Sequence, residues 1–478
     1  GAAGQATGYE IDQSIRFDNV DGVNAGGAQM FRLALTGTPT NTKKATISAW
    51  VKRATLGYYQ VIAYAGDPNG STAETLRFNN DDTLNFAQAS SDYVLTTTQV
   101  FRDVGAWYHI VAEIDTANGT SADRANLYVN GTKVTSLSTE NYPTEDYVTN
   151  WTATSGSIAH TWGANAIPAV GPSSQLFAGY MAEMFVLDGE KAGASSFGET
   201  NNDGVWVPIE YSGSFGNNGY YMTGETASAL GEDFSGNNLD FTTVALATTD
   251  QMLDTPTDNY CVLSPIDKSS AITTSDGNLV VTNASTNSWN HGRGTLFAPS
   301  GKWYYEWIPT AGSYALAGWM LNVSGNDYVE EESDVATTFY RGVGAAGHGF
   351  VIGSGSTDSS VTNFALDDVI MMAIDVDSMK MWVGINGTWY NSGDPAGDSN
   401  PVGTWTDAIG QSVAPWYGCF NGTTESFNFG QRPFAHTIPT GFNSWNTANL
   451  PTPSITDSSA YFDTKLWTGN DTDGRAIT

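Results

Sequence analysis

Few of the side chains able to do chemistry in this chain are spaced for it. Glu113-Ile114-Asp115 sets two acids two residues apart, and on a strand such residues share a face. Cleaving a glycosidic bond with retention takes an acid and a nucleophile carboxylate about 5 Å apart, so this is where such a pair would be sought. Gly342-Val343-Gly344-Ala345-Ala346-Gly347 satisfies GxGxxG. A dinucleotide site needs a helix next, whose N-terminus takes the pyrophosphate. The strand-type run Gly349-Phe350-Val351-Ile352-Gly353 follows instead, and the glycines read as a loop. His109, His160, His291, His348 and His436 lack ligand spacing, and no Walker A, HExxH or GxSxG motif occurs. Cys261 and Cys419 make no CxxC; a disulfide between them and two separate core thiols are both open.

Two short acidic turns, Asp67-Pro68-Asn69-Gly70 and Asp471-Thr472-Asp473-Gly474, resemble fragments of calcium loops. Ca²⁺ is therefore the only cofactor the sequence suggests, with Asp67 and Asn69 as candidate ligands, although both stretches are also ordinary turns. Rings near loop tips remain. Tyr58, Tyr59, Tyr328 and Trp389 are candidates for stacking on a sugar or anchoring a partner, with core packing as their competing use.

The elements that carry these residues read as strands. From Ala106 to Val134 two β-type runs flank a Gly/Ser/Asp-rich turn, and Asn130-Gly131 follows at once. Tyr108, Ile110, Ala112 and Ile114 fall on one side of the first run, and His109, Glu113 and Asp115 on the other, which predicts one buried and one wet face. Asn-Gly favours a type I′ hairpin because both central residues need positive φ. The pattern returns over 368–390 with Asn386-Gly387. Short strands are further expected at 14–17, 30–35, 45–54, 58–66, 75–80, 83–88, 157–164 and 176–190 in the first half. In the second half they are expected at 301–309, 315–320, 348–353, 413–422 and 425–434.

At 478 residues the chain is too long for one core. Charged residues are only 14%, about half the usual quarter, while glycine (52) and aromatics (12%) are abundant. That composition favours pleated surfaces and tight turns. The fold class expected is all-β: two antiparallel jelly-roll-type β-sandwiches joined by an irregular packed connector. The divisions are a flexible N-terminus at 1–10, a sandwich at 11–190, the connector at 191–258 with a short helix near 194–197, a second sandwich at 259–450 and a C-terminal segment at 451–478. In that last segment, 461–470 looks like the opening strand of a further module. Lys+Arg 19 against Asp+Glu 50 leaves a net charge of −31, which repels phosphate backbones and argues against nucleic-acid binding. No 18-residue apolar run is present, so no membrane insertion is expected. The opening GAAGQATGYE has neither a basic n-region nor an apolar h-region, so no secretory signal is expected there; without an initial Met, the chain reads as processed or trimmed.

The order SIRFD, ATISAWVKR, VIAYAG, AWYHIVAEID, NLYVNGTKV, IAHTWG and FAGYMAEMFVLDG, over roughly 10–190, resembles the laminin-G/concanavalin-A-like sandwich family. The resemblance implies a jelly roll that binds glycans or proteins, often with calcium at one edge. Related glucanases carry Glu-x-Asp-x-x-Glu on one strand; here Glu113 and Asp115 begin that pattern and Asn118 stands where the last acid belongs. GKWYYEW, DDVIMMAIDVDSMKMWVGING and NFGQRPF, within roughly 285–445, are similar to the SPRY family, which implies a non-catalytic protein-binding scaffold. The whole arrangement, with SSFGETNNDGVWVP between the two units, resembles large structural proteins of marine bacteriophages.

These resemblances imply a non-enzymatic virion structural or adhesion protein: a fibre, appendage or surface decoration. Its expected location is the virion surface or the extracellular space. The expected partners are host-surface glycan or protein, or other virion subunits, with oligomeric display adding avidity. The rivals are a secreted carbohydrate-binding module or glycoside hydrolase fragment, and a self-assembling filament or surface-layer subunit. The purified chain should release no sugar from β-glucans in a reducing-end assay. Hydrolysis that disappears on Glu113→Gln would overturn the non-catalytic reading.

Overall fold

A computed structural model describes residues 8–18, 29–67, 72–154, 157–165, 175–285, 288–312, 314–321, 338–343, 349–352, 356–358, 364–404 and 409–452. Among them the only helical structure is short 3₁₀ turns, including Ala194–Ser196. Strands make up two sandwiches, antiparallel apart from the short Asn443–Ser444 strand beside Lys302–Ala311.

In the first sandwich one sheet runs, in spatial order, Thr132–Lys133, Ala125–Val129, Tyr108–Asp115, Lys44–Arg53, Gly179–Asp188, Ser14–Phe17 and Gln251–Met252. The facing sheet runs Leu137–Asn141, Val94–Val100, Thr83–Gln88, Glu74–Phe78, Gln60–Gly66, Ala159–Trp162, Met30–Leu33 and Thr242–Val244. Ile15, Phe17, Ile47, Ile110, Phe86 and Trp162 fill the space between them. The Asn130-Gly131 turn has φ 47 and 77, and Asn386-Gly387 has φ 48 and 85. Those left-handed values are what the hairpin geometry demands.

The second sandwich sets Trp303, Tyr305 and Trp307, alternate residues of Lys302–Ala311, against Trp319, Tyr417 and Phe427. Tyr304, on the opposite face of the same strand, is buried too, beneath Phe434 and Phe442. Thr338–Val343 pairs with Gly349–Ile352, so a strand follows the GxGxxG glycines; residues 344–348 lie outside the described set. Cys261 and Cys419 are both buried and free.

The connector adds strands to both sheets of the first sandwich. Tyr220–Met222 pairs with Gly179–Asp188, Gln251–Met252 with Ser14–Phe17, and Thr242–Val244 with Met30–Leu33. Its last turn then carries the chain into the second sandwich, whose core runs on into Trp50, Trp107 and Tyr180 of the first.

One ion pair fixes that junction. Lys52 and Asp254 are both fully buried, 2.7 Å apart. The Lys52 ammonium also donates to Asn259 Oδ1 at 2.7 Å and to the Tyr260 carbonyl at 2.9 Å. Asp254 accepts from Trp107 Nε1 and from the Tyr260 amide. Nearby, Arg16 bridges Asp250 and Asp276, and Tyr180 donates to the Gly277 carbonyl. Asn278 donates from the second sandwich to the Ala54 carbonyl of the first.

Removing one partner of a buried pair leaves the other charge uncompensated, which costs roughly 3–5 kcal/mol. Asp254→Ala should therefore destabilise the fold by that order, read as a lower urea midpoint at unchanged slope, and the double variant Lys52→Met/Asp254→Leu should recover most of the loss. A double variant no more stable than Asp254→Ala would show that the charge is not the cause.

Candidate functional site

The face of Tyr108–Asp115 that alternation predicts to be wet is in fact covered. His109 and Glu113 are buried beneath residues 191–221 of the connector. Alternation reports which side of a strand faces away from its own sandwich, and here another segment lies on that side. His109 sits between the rings of Trp50 and Trp206, with centroids 4.7 and 6.0 Å away. Trp206 Nε1 donates to His109 Nδ1 at 3.1 Å, so Nε2 carries the ring proton and donates to Ser48 Oγ at 2.9 Å. Burial pushes the imidazole down to about 3, so it stays neutral. Glu113 Oε2 accepts from Asn126 Nδ2 and Tyr128 Oη.

Two glycines seat Trp206. A Cβ on Gly131 would fall 2.3 Å from the indole, and one on Gly198 would fall 2.6 Å from it. Gly131 thus serves both its positive φ and the approach of the ring. Thr200 and Trp206 stand opposite each other in a two-stranded hairpin, which swings across the Asn130-Gly131 turn.

Between this hairpin and the junction opens a cleft of about 440 Å³, within the roughly 300–1,000 Å³ range of small-molecule sites. Trp50, Trp107 and Trp206 line it together with Asn130, Thr132 and Thr200. Its far wall comes from Pro256, Thr257, Asn259 and Thr447. Asn259 is held at both ends of its amide, accepting from Lys52 and donating to the Gly105 carbonyl at 2.7 Å. The buried ion pair therefore positions the wall. Rigid aromatic surface with a few amides and hydroxyls can stack on a ring face and exchange hydrogen bonds with hydroxyl groups.

The residues singled out from the sequence lie elsewhere. Tyr58 and Tyr59 are 40% and 37% exposed, on the turn between Lys44–Arg53 and Gln60–Gly66. The Arg77 guanidinium lies 5.0 Å from the Tyr59 ring centre. Trp389 is half-buried against Tyr304 in the second sandwich, packing rather than standing free. Asp67 follows the strand Gln60–Gly66, while Tyr328 and Asn69 lie outside the described residues. Among the described residues no three His, Cys, Asp or Glu side chains cluster as metal ligands. Sequence reasoning passed over the cleft residues Trp50, Trp107 and Trp206; the GVWVP stretch around Trp206 was visible only as one aromatic in an irregular segment.

Fold and cleft together describe two antiparallel β-sandwiches with an aromatic-lined cleft beside the first. Residues 26–194 match the family described as the concanavalin A-like lectin/glucanases superfamily, so the first sandwich has that fold. The chain is similar to the SPRY domain of human HERC1, with 13% identity over 36% of this chain and 99% of that one, at a TM-score of 0.28. It is similar to a heptameric SAP-like pentraxin from Limulus polyphemus, with 18% identity over 38% and 78% of the two chains and a TM-score of 0.29. A putative carbohydrate binding protein from Bacteroides ovatus shares 15% identity over 50% and 60%, at a TM-score of 0.30. No curated protein matches the sequence.

Three buried glutamates outside the cleft are shifted upward. Glu74 and Glu183 are raised to about 7, and Glu425 to about 8, in each case chiefly by burial. Each has neutral donors: Tyr147 and Thr149 for Glu74, Tyr9 and Tyr221 for Glu183, Trp307 and Cys419 for Glu425. Glu183 sits at a bulge with φ 52. The folded chain thus holds protons that the unfolded chain, ionising near 4.5, releases. Stability conferred this way falls as pH rises toward the folded value. His109, His160 and His291, lowered to about 3–4, act oppositely but only below their ordinary 6.5. The clean window is therefore pH 6.5 to 8. There stability should decline with pH, and Glu425→Gln should flatten the decline by up to about 1.4 kcal/mol per pH unit. Urea midpoints across that window test it, and an unchanged slope in the variant would refute the assignment.

Proposed function

We propose that this chain is a non-catalytic binding protein that takes a glycan in the cleft between hairpin, first sandwich and junction. The single observation carrying this reading is the convergence of Trp50, Trp107 and Trp206 with Asn130, Thr132 and Thr200 around one opening of suitable volume. The concanavalin A-like lectin fold of residues 26–194 supports it. The binding reading is preferred to catalysis because Glu113 is enclosed by Asn126 and Tyr128 and covered by the connector, away from the cleft lining.

In this proposal the protein works at the surface of a virion, as a fibre, appendage or decoration that meets host-surface glycan. Oligomeric display multiplies weak contacts. A protein partner or neighbouring subunit is the second reading, favoured by the exposed adjacent rings of Tyr58 and Tyr59 on the first sandwich.

An immobilised glycan panel tests the first reading directly. Trp206→Ala should weaken binding at least ten-fold, about 1.4 kcal/mol or more, as expected for an aromatic anchor. Binding that survives Trp206→Ala unchanged but is lost on Tyr58→Ala/Tyr59→Ala would move the site to the exposed pair.

A further inference from the structure

The cleft carries information about ligand class as well as position. Among its described lining residues not one is charged, in a protein whose net charge is −31. The exposed polar lining groups are Asn130, whose Oδ1 accepts from the His109 amide and whose Nδ2 is left to donate, and the Thr132 and Thr200 hydroxyls. Each exchanges hydrogen bonds with neutral hydroxyls, and none offsets a formal charge.

Lys52, behind the far wall, is committed inward. Lys52 gives its three N–H groups to Asp254, Asn259 and the Tyr260 carbonyl, and Asp254 neutralises it. The indole N–H groups are committed too, Trp107 to Asp254 and Trp206 to His109. Trp107 and Trp206 therefore offer ring surface alone. An anionic group entering this space would lose water without gaining a cationic partner, which is strongly unfavourable. The acidic protein around it would also repel such a group on approach.

We infer that the cleft selects an uncharged saccharide and rejects sulfated, sialylated or uronate-bearing glycans. This rests on the glycan reading above and names its substrate class. The ligand would stack a pyranose face on the part of the half-buried Trp206 indole that lines the cleft and meet Asn130, Thr132 and Thr200 through its hydroxyls.

Titration calorimetry on the full chain tests this with neutral gluco-, galacto- and manno-oligosaccharides and with uronate and sulfated counterparts of matched length. The expected result is binding of at least one neutral member, with its anionic counterparts at least ten-fold weaker. Trp206→Ala should abolish the neutral binding. Thr200→Trp, at an exposed strand position that fills the cleft mouth, should do the same without touching the core. Anionic members bound as well as neutral ones or better, and lost in both variants, would overturn the inference and leave the glycan reading standing. Absence of any glycan binding, or binding indifferent to both variants, would overturn the glycan reading and this inference with it.

Discussion

A lysine buried without solvent dictates how this chain is assembled. Lys52 lies on the outer face of its strand, where a lone sandwich would leave it in water. Its full burial is tolerable only because a carboxylate and two oxygens meet it, and all three come from Asp254 to Tyr260. Those seven positions are where the chain passes from one sandwich to the next. The charge therefore specifies the path of the connector's end, since few other routes satisfy the ammonium. From that path follow the seating of Trp107 against Asp254, the fixed amide of Asn259 and the far wall of the cleft.

The same logic governs the other covered face. A sandwich has two outer surfaces, and this one gives part of one to the connector, which lays Phe197, Trp206, Tyr211 and Tyr221 over His109 and Phe185. Stacked rings at such distances add about 0.5–1.5 kcal/mol per pair beyond their burial. That helps explain how a segment rich in Gly, Asn and Ser holds one conformation without long strands of its own. The connector's short strands pair with edges and bulged positions of the sandwich, and Asp188 accepts from Thr40, Asn41 and Asn218 to close its rim.

Much of the fold was legible because strands declare themselves locally. Alternation in YHIVAEID, the Asn-Gly pairs and the aromatic run KWYYEW each state a period and a turn that need nothing distant. Other parts depend on contacts that no local pattern encodes. The strands Val94–Val100 and Leu137–Asn141 were passed over because VLTTTQV and LSTEN are polar and sparsely apolar; they form an outer edge where little needs burying. His109 and Glu113 looked wet because the period of two is silent about what covers the far side. The cleft residues were harder still. Trp50, Asn130, Trp206 and Thr447 come from separate parts of the chain, brought together by the seating of Trp206 on Gly131 and by the far wall that the buried ion pair positions.

Where the few cations went matters as much as where the strands lie. Arg16, Lys52, Arg53 and Arg124 are buried, each paired with an acid. Arg53 is enclosed by Asp82, the Phe101 carbonyl and the Phe78 ring. Each of these buried cations is matched by an acid, so the outer surface keeps the strongly acidic character of the whole chain. Long-range attraction is then directed at cations, while neutral ligands must be recognised at short range by shape, stacking and hydrogen bonds. A site built from ring faces, hydroxyls and amides is the chemistry compatible with such a surface.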